Sequence, residues 1–159
     1  MSRYYRNTTA NTEDTDAYRL QRREWHSSLY ATDVDLVEYV YDDTGTPESV
    51  AYTEYKHVNA KPVDEEHGQL TVIATDAFRL RKPGFFIRWL DEPPAYFVYP
   101  VNAYALDYVA YEGAEMSEAA FCGFLMHLHG VDEPPDVELS EALPEPFDVW
   151  PLDNPPFIE

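Results

Sequence analysis

The sequence predicts an α/β domain, and three observations predict it. Stretches rich in β-branched and aromatic residues, bounded by turn residues, alternate with stretches whose apolar residues recur at helical spacing. The 159 residues suit one domain rather than two. At 45% hydrophobic and 15% aromatic the chain can fill a core, although its net charge of -19 alone points toward disorder.

Taken in order, residues 1–11 read as a flexible arm and the domain as residues 12–131. Thr12 or Thr15 caps a helix from about Asp16 to Ser28, with Tyr18, Trp25 and Leu29 on its inner face. YATDVDLVEYVY (30–41) and ESVAYTEYKHV (48–58) read as two strands of a hairpin around the turn DDTGTP, with a loop of roughly five or six residues. The segment 63–80 carries Leu70, Ile73, Ala74, Ala77 and Phe78 at helical spacing and is stopped by Pro83-Gly84. GFFIRWL (84–90) and AYFVYPV (95–101) read as two further strands joined by DEPP. Tyr104, Tyr108 and Tyr111 suggest a short helix with a half-buried tyrosine stripe. Ser117-Glu118 opens the last helix, which Gly130 ends. His127 and His129 diverge on such a helix and make a poor metal pair. From Asp132 the chain holds nine acids, no bases and seven of the thirteen prolines, which predicts a disordered acidic tail over 132–159.

The charge excludes some functions and leaves others open. No apolar run is long enough to span a bilayer and the N-terminal stretch is polar, so the expectation is a cytoplasmic protein with no membrane partner. The lone cysteine, Cys122, excludes an internal disulfide and a thiolate zinc cage and reads as a buried hydrophobe. Eight Arg against three Lys among the bases fits a cytoplasm at molar salt, as in haloarchaea. An acidic surface imitating a DNA backbone is the other reading of the same charge.

Asp33, Asp35, Glu54 and Lys56 carry the chemistry. Pairing about a centre between Thr44 and Gly45 sets Asp35 opposite Glu54 and Asp33 opposite Lys56, and period-two alternation puts all four on one sheet face. Opposed carboxylates repel by up to about 1 kcal/mol, which a hard divalent cation relieves. Mg²⁺ (or Mn²⁺) takes carboxylate and carbonyl oxygens and leaves a position for phosphate. Lys56 can hold an attacking water and offset charge building on phosphorus. Glu38 falls on the opposite face and reads as a surface or core-edge acid. The same four residues also suit outward polar positions of amphipathic strands.

The ordered set of helix, hairpin with Asp and then Glu-x-Lys, helix and strand resembles the restriction-endonuclease-like superfamily of PD-(D/E)XK nucleases. It is most similar to small members found in phages, plasmids and mobile elements, over roughly residues 18–130. The resemblance implies a mixed central sheet flanked by helices and a Mg²⁺-dependent nuclease acting on nucleic acid, DNA foremost. It implies Asp35 and Glu54 as metal ligands with the Tyr55 carbonyl, and Lys56 as the catalytic lysine. Asp33 is an alternative ligand or partner for Lys56, Glu24 an extra acid and Gln69 a phosphate contact. Val34 stands where many members have proline. Arg79, Arg81, Lys82 and Arg88 form the downstream basic cluster and can grip phosphates, although stabilising a helix C-terminus accounts equally well for the first three. The rival expectation is a non-catalytic nuclease fold that binds a protein partner through its acidic tail, whose LDNPPFIE resembles the Pro-Phe tips of bacterial single-strand-binding proteins.

Overall fold

A computed structural model describes Trp25 and residues 37–58, 68–144 and 157–159. The arm, the rest of the first predicted helix and the beginning of the first strand lie outside these residues. So do the start of the second predicted helix and residues 145–156 of the tail. Five strands form one sheet in which spatial order repeats chain order: β1 (Val37–Tyr41), β2 (Pro47–His57), β3 (Gly84–Asp91), β4 (Pro94–Pro100) and β5 (Ala114–Ser117). Helix α1 (Gly68–Arg79) joins β2 to β3, and helix α2 (Glu118–Leu128) follows β5. The architecture is therefore α/β with a mixed sheet. β2 and β3 run parallel, as a helical crossover requires, and the other neighbours are antiparallel.

The β1–β2 turn is built by Asp42. Its carboxylate accepts from the Thr44 and Thr46 amides (2.8 Å each) and the Thr44 hydroxyl (2.6 Å). Gly45 takes the positive φ of 80° that closes the loop. Val37 pairs with Tyr52 and Glu38 with Ala51, the pairing symmetry expected from the turn centre. An irregularity between Glu38 and Tyr39 then shifts the remaining pairs by one residue.

Both helices are closed by their sequence. α1 ends in a Schellman turn rather than at the expected Pro83-Gly84. Lys82 N–H donates to Ala77 O and Arg81 N–H to Phe78 O, with Arg81 at φ 57°. α2 begins where Ser117 Oγ accepts from Ala120 N–H and ends in the same motif with Gly130 at φ 65°.

The strands alternate between two cores. Phe85, Ile87, Tyr96 and Val98 face α2, where Trp25, Phe121, Phe124 and Leu125 complete an aromatic core. Phe121 stacks on Tyr96 with centroids 3.9 Å apart, and Trp25 meets both rings edge-on. Each such ring removed from water contributes about 1.5–3 kcal/mol. Phe86 and Tyr99 face α1 and pack with Leu70, Ala74 and Val101. Trp25 and Cys122 are buried, as expected.

Three expectations need correction. Instead of a helix carrying all three tyrosines, a short 3₁₀ turn capped by Asn102 covers Ala103–Asp107 and holds only Tyr104, with Tyr108 just past its end and Tyr111 exposed beyond it. β5 itself was not expected. The tail is not disordered where it is described: Ser140 exchanges main-chain and side-chain bonds with Ala119 and Glu118, Asp136 N–H donates to Trp25 O, and Ile158 bridges to Asn102. Leu139 and Ile158 each pack against one of the two cores, and that apolar contact outweighs the charge of the segment. No helix among the described residues is long and apolar enough to cross a membrane.

Candidate functional site

β2 is the strand on which the polar residues converge, because it lies inside the sheet and passes between the two helical layers. Glu54 and Lys56 project toward the α1 side. Lys56 Nζ lies 2.8 Å from Glu54 Oε1, with the carboxylate buried and the ammonium side chain 31% exposed. A buried carboxylate needs partners of this kind, and Lys56 is one of them. In the parallel ladder Glu54 is level with Phe86 and Lys56 with Arg88, which places Arg88 on the same face. Arg88 is buried and its Nη2 donates to Val58 O at 2.9 Å. Desolvation holds the Arg88 pKa below its ordinary value, opposed by its electrostatic interaction with Tyr99.

Main-chain directions alternate along β2. The Tyr52 and Val58 amides both donate toward β3, so the even-numbered residues between them share that direction and the Tyr55 carbonyl points to the opposite side, that of β1. The carbonyl expected as a metal ligand therefore faces away from the β3 ladder.

Of the expected site residues, the structure pairs Glu54 with Lys56, and Tyr55 lies between them along β2. Asp35, Asp33 and Glu24 lie outside the described residues. Gln69 falls in the first turn of α1, the element expected for it. Arg79, Arg81 and Lys82 are not brought to Lys56. They occupy the far end of α1, where Lys82 Nζ lies 3.2 Å from Glu48 Oε1 and Arg79 pairs weakly with Asp76 (3.7 Å). Glu48 precedes Lys56 by eight residues of strand, a separation of roughly 26 Å. Their place at the helix C-terminus favours the helix-dipole account. Among the described residues no three His, Cys, Asp or Glu side chains come together as a metal cluster. The described donors are nonetheless hard oxygen ligands of the kind Mg²⁺ takes, namely the Glu54 carboxylate and the Tyr55 carbonyl.

On the other face of β2 is a cluster that was not expected. Glu38 is fully buried. Its Oε1 accepts from Tyr55 OH (3.1 Å) and Thr53 Oγ1 (3.5 Å), and its Oε2 lies 3.3 Å from His129 Nε2 at the end of α2. His129 Nδ1 donates to Leu125 O at 2.7 Å, which fixes the ring. Alternation correctly put Glu38 opposite Glu54. It carried no sign that α2 would cover that face. His127, by contrast, is exposed, so the two histidines do diverge.

No family model matches the chain, and no curated protein or solved structure does either.

Proposed function

We propose that the protein is a Mg²⁺- or Mn²⁺-dependent nuclease of PD-(D/E)XK type, with Asp35, Glu54 and the Tyr55 carbonyl as metal ligands and Lys56 as the catalytic lysine. The observation that carries the reading is the 2.8 Å contact between Lys56 Nζ and the buried Glu54 carboxylate on one face of an interior strand. Two features support it. The E-x-K strand is followed by a helix and a parallel strand, in the order the resemblance implies. Val37 and Tyr52 also pair in the symmetry on which the opposition of Asp35 and Glu54 rests.

In this reading Asp35, Glu54 and the Tyr55 carbonyl would hold a divalent cation, which would supply Lewis-acid polarisation of the phosphate and a lowered cost of deprotonating water. The chain's own groups do the rest. Glu54 and Asp35 supply anionic oxygens, and the Lys56 ammonium orients the attacking water and offsets charge as it gathers on the phosphate oxygens. The water oxygen forms the new P–O bond, one ester P–O bond breaks, and the departing oxygen keeps the electron pair and takes up a proton. Arg88, level with Lys56, adds positive charge on the same face.

The test is a cleavage screen on single-stranded, duplex and branched DNA and RNA with Mg²⁺ or Mn²⁺ at molar KCl. Glu54→Ala and Lys56→Ala should each lower cleavage by about a hundredfold or more while the circular dichroism spectrum is kept. A wild-type protein inert with both metals on every substrate would sink the proposal.

The rival is a non-catalytic module of the same architecture. The ion pair of Glu54 and Lys56 is compatible with it, since such a pair also serves stability alone. Its tail-mediated form is weakened because Phe157 and Ile158 rest on the protein itself.

A further inference from the structure

Ile158 is seated like one residue of an added strand. Its N–H donates to Val101 O at 3.0 Å and its carbonyl accepts from Ala103 N–H at 2.9 Å, forming a parallel bridge across Asn102. Its side chain packs against the cluster of Leu70, Ala74, Phe86, Tyr99 and Val101. Phe157 turns the other way, its ring meeting Tyr111 edge-on at 5.0 Å. Opposite faces for adjacent side chains are what an extended segment gives.

The seat is held by contacts that do not involve residues 157–159. Asn102 is extended and buried. Its Oδ1 accepts from Gly84 N–H and Ala105 N–H, its Nδ2 donates to Lys82 O, and Val101 N–H donates to Gly84 O. The Val101 carbonyl and the Ala103 amide are thus aimed before Ile158 arrives. Pre-aimed main-chain groups beside a side-chain pocket are the parts of recognition by strand addition.

We propose that this seat is a peptide-recognition site for an extended Phe-Ile segment, filled by the chain's own Phe157 and Ile158 as a self-ligand that the same segment supplied in trans can replace. The inference is independent of the nuclease reading. Tethering gives the self-ligand an effective concentration of about millimolar, so the free peptide competes poorly until the tether's own side chains are removed.

The probe is a fluorescent peptide of sequence NPPFIE, blocked at both ends, followed by anisotropy with the full chain and with a Phe157→Ser/Ile158→Ser double variant. The double variant should bind it at least about tenfold more tightly than wild type, and a peptide with Ser in place of Ile should not bind. Binding that is equal for both proteins, absent from a natively folded variant, or indifferent to the Ile-to-Ser change would overturn the proposal. If the variant does not fold, native-state hydrogen exchange of the wild type decides. The Ala103 and Ile158 amides should open at denaturant concentrations that leave the β3 amides closed. Their exchange only with global unfolding would refute a replaceable ligand.

Discussion

Glu38 is the residue whose removal the fold should tolerate least. Glu38→Ala removes the carboxylate that accepts from Tyr55 OH and Thr53 Oγ1 and lies beside His129 Nε2. Taking an acceptor away from buried donors costs about 1–3 kcal/mol. Urea denaturation should show a loss in that range, and a loss below about 1 kcal/mol would mean that the cluster is not coupled as described. The residues were unevenly legible in the sequence. Glu54 and Lys56 declared their common face through strict alternation. The burial of Glu38 and His129 depended on where α2 docks, and Asn102 looked like an ordinary turn residue. What covers a face is a tertiary fact, and no local spacing encodes it.

Elements that carry their own start and stop signals were legible. β2, β3 and β4 fall within a residue or two of their expected bounds, and α2 has the cap at Ser117 and the stop at Gly130 that its sequence announces. β5 was missed because AEMS offers neither β-branched residues nor alternation; pairing with β4 makes it a strand. The hairpin turn lends itself to a pH test. The Thr44 hydroxyl bond, followed by the Thr46 amide, holds the Asp42 pKa below its ordinary 3.8 in the folded state, so ionised Asp42 favours folding. That contribution is whole above the unfolded value and disappears as pH falls through the lowered folded one. Asp42→Ala should therefore melt below wild type at neutral pH, with the gap closing in acid below pH 3.8. A gap that stays constant down to acid unfolding would count against the turn as the source.

For the whole molecule, charge is the dominant long-range force. The segment from Asp132 contributes -9 of the total -19, and part of it is folded back against the sheet layers, so like charges are drawn together that an extended tail would keep apart. Screening should relieve this repulsion. Raising KCl from millimolar to molar should lift the melting midpoint by more than about 4 °C, and a flat or falling midpoint would argue that the acidity is locally neutralised. The α/β class was legible from alternating patterns, whereas the seating of the tail was not, because composition reports the average cost of ordering a segment and misses the few apolar residues that anchor it. One property of the sheet bears on how the chain reaches this state. Since β1 to β5 lie side by side in the order in which they are synthesised, none of these five described strands has to insert between two already paired, and each ladder among them joins consecutive strands. Growth can proceed from one edge to the other as the chain emerges, with the β2–β3 joint as the slow step because α1 must first be laid across it.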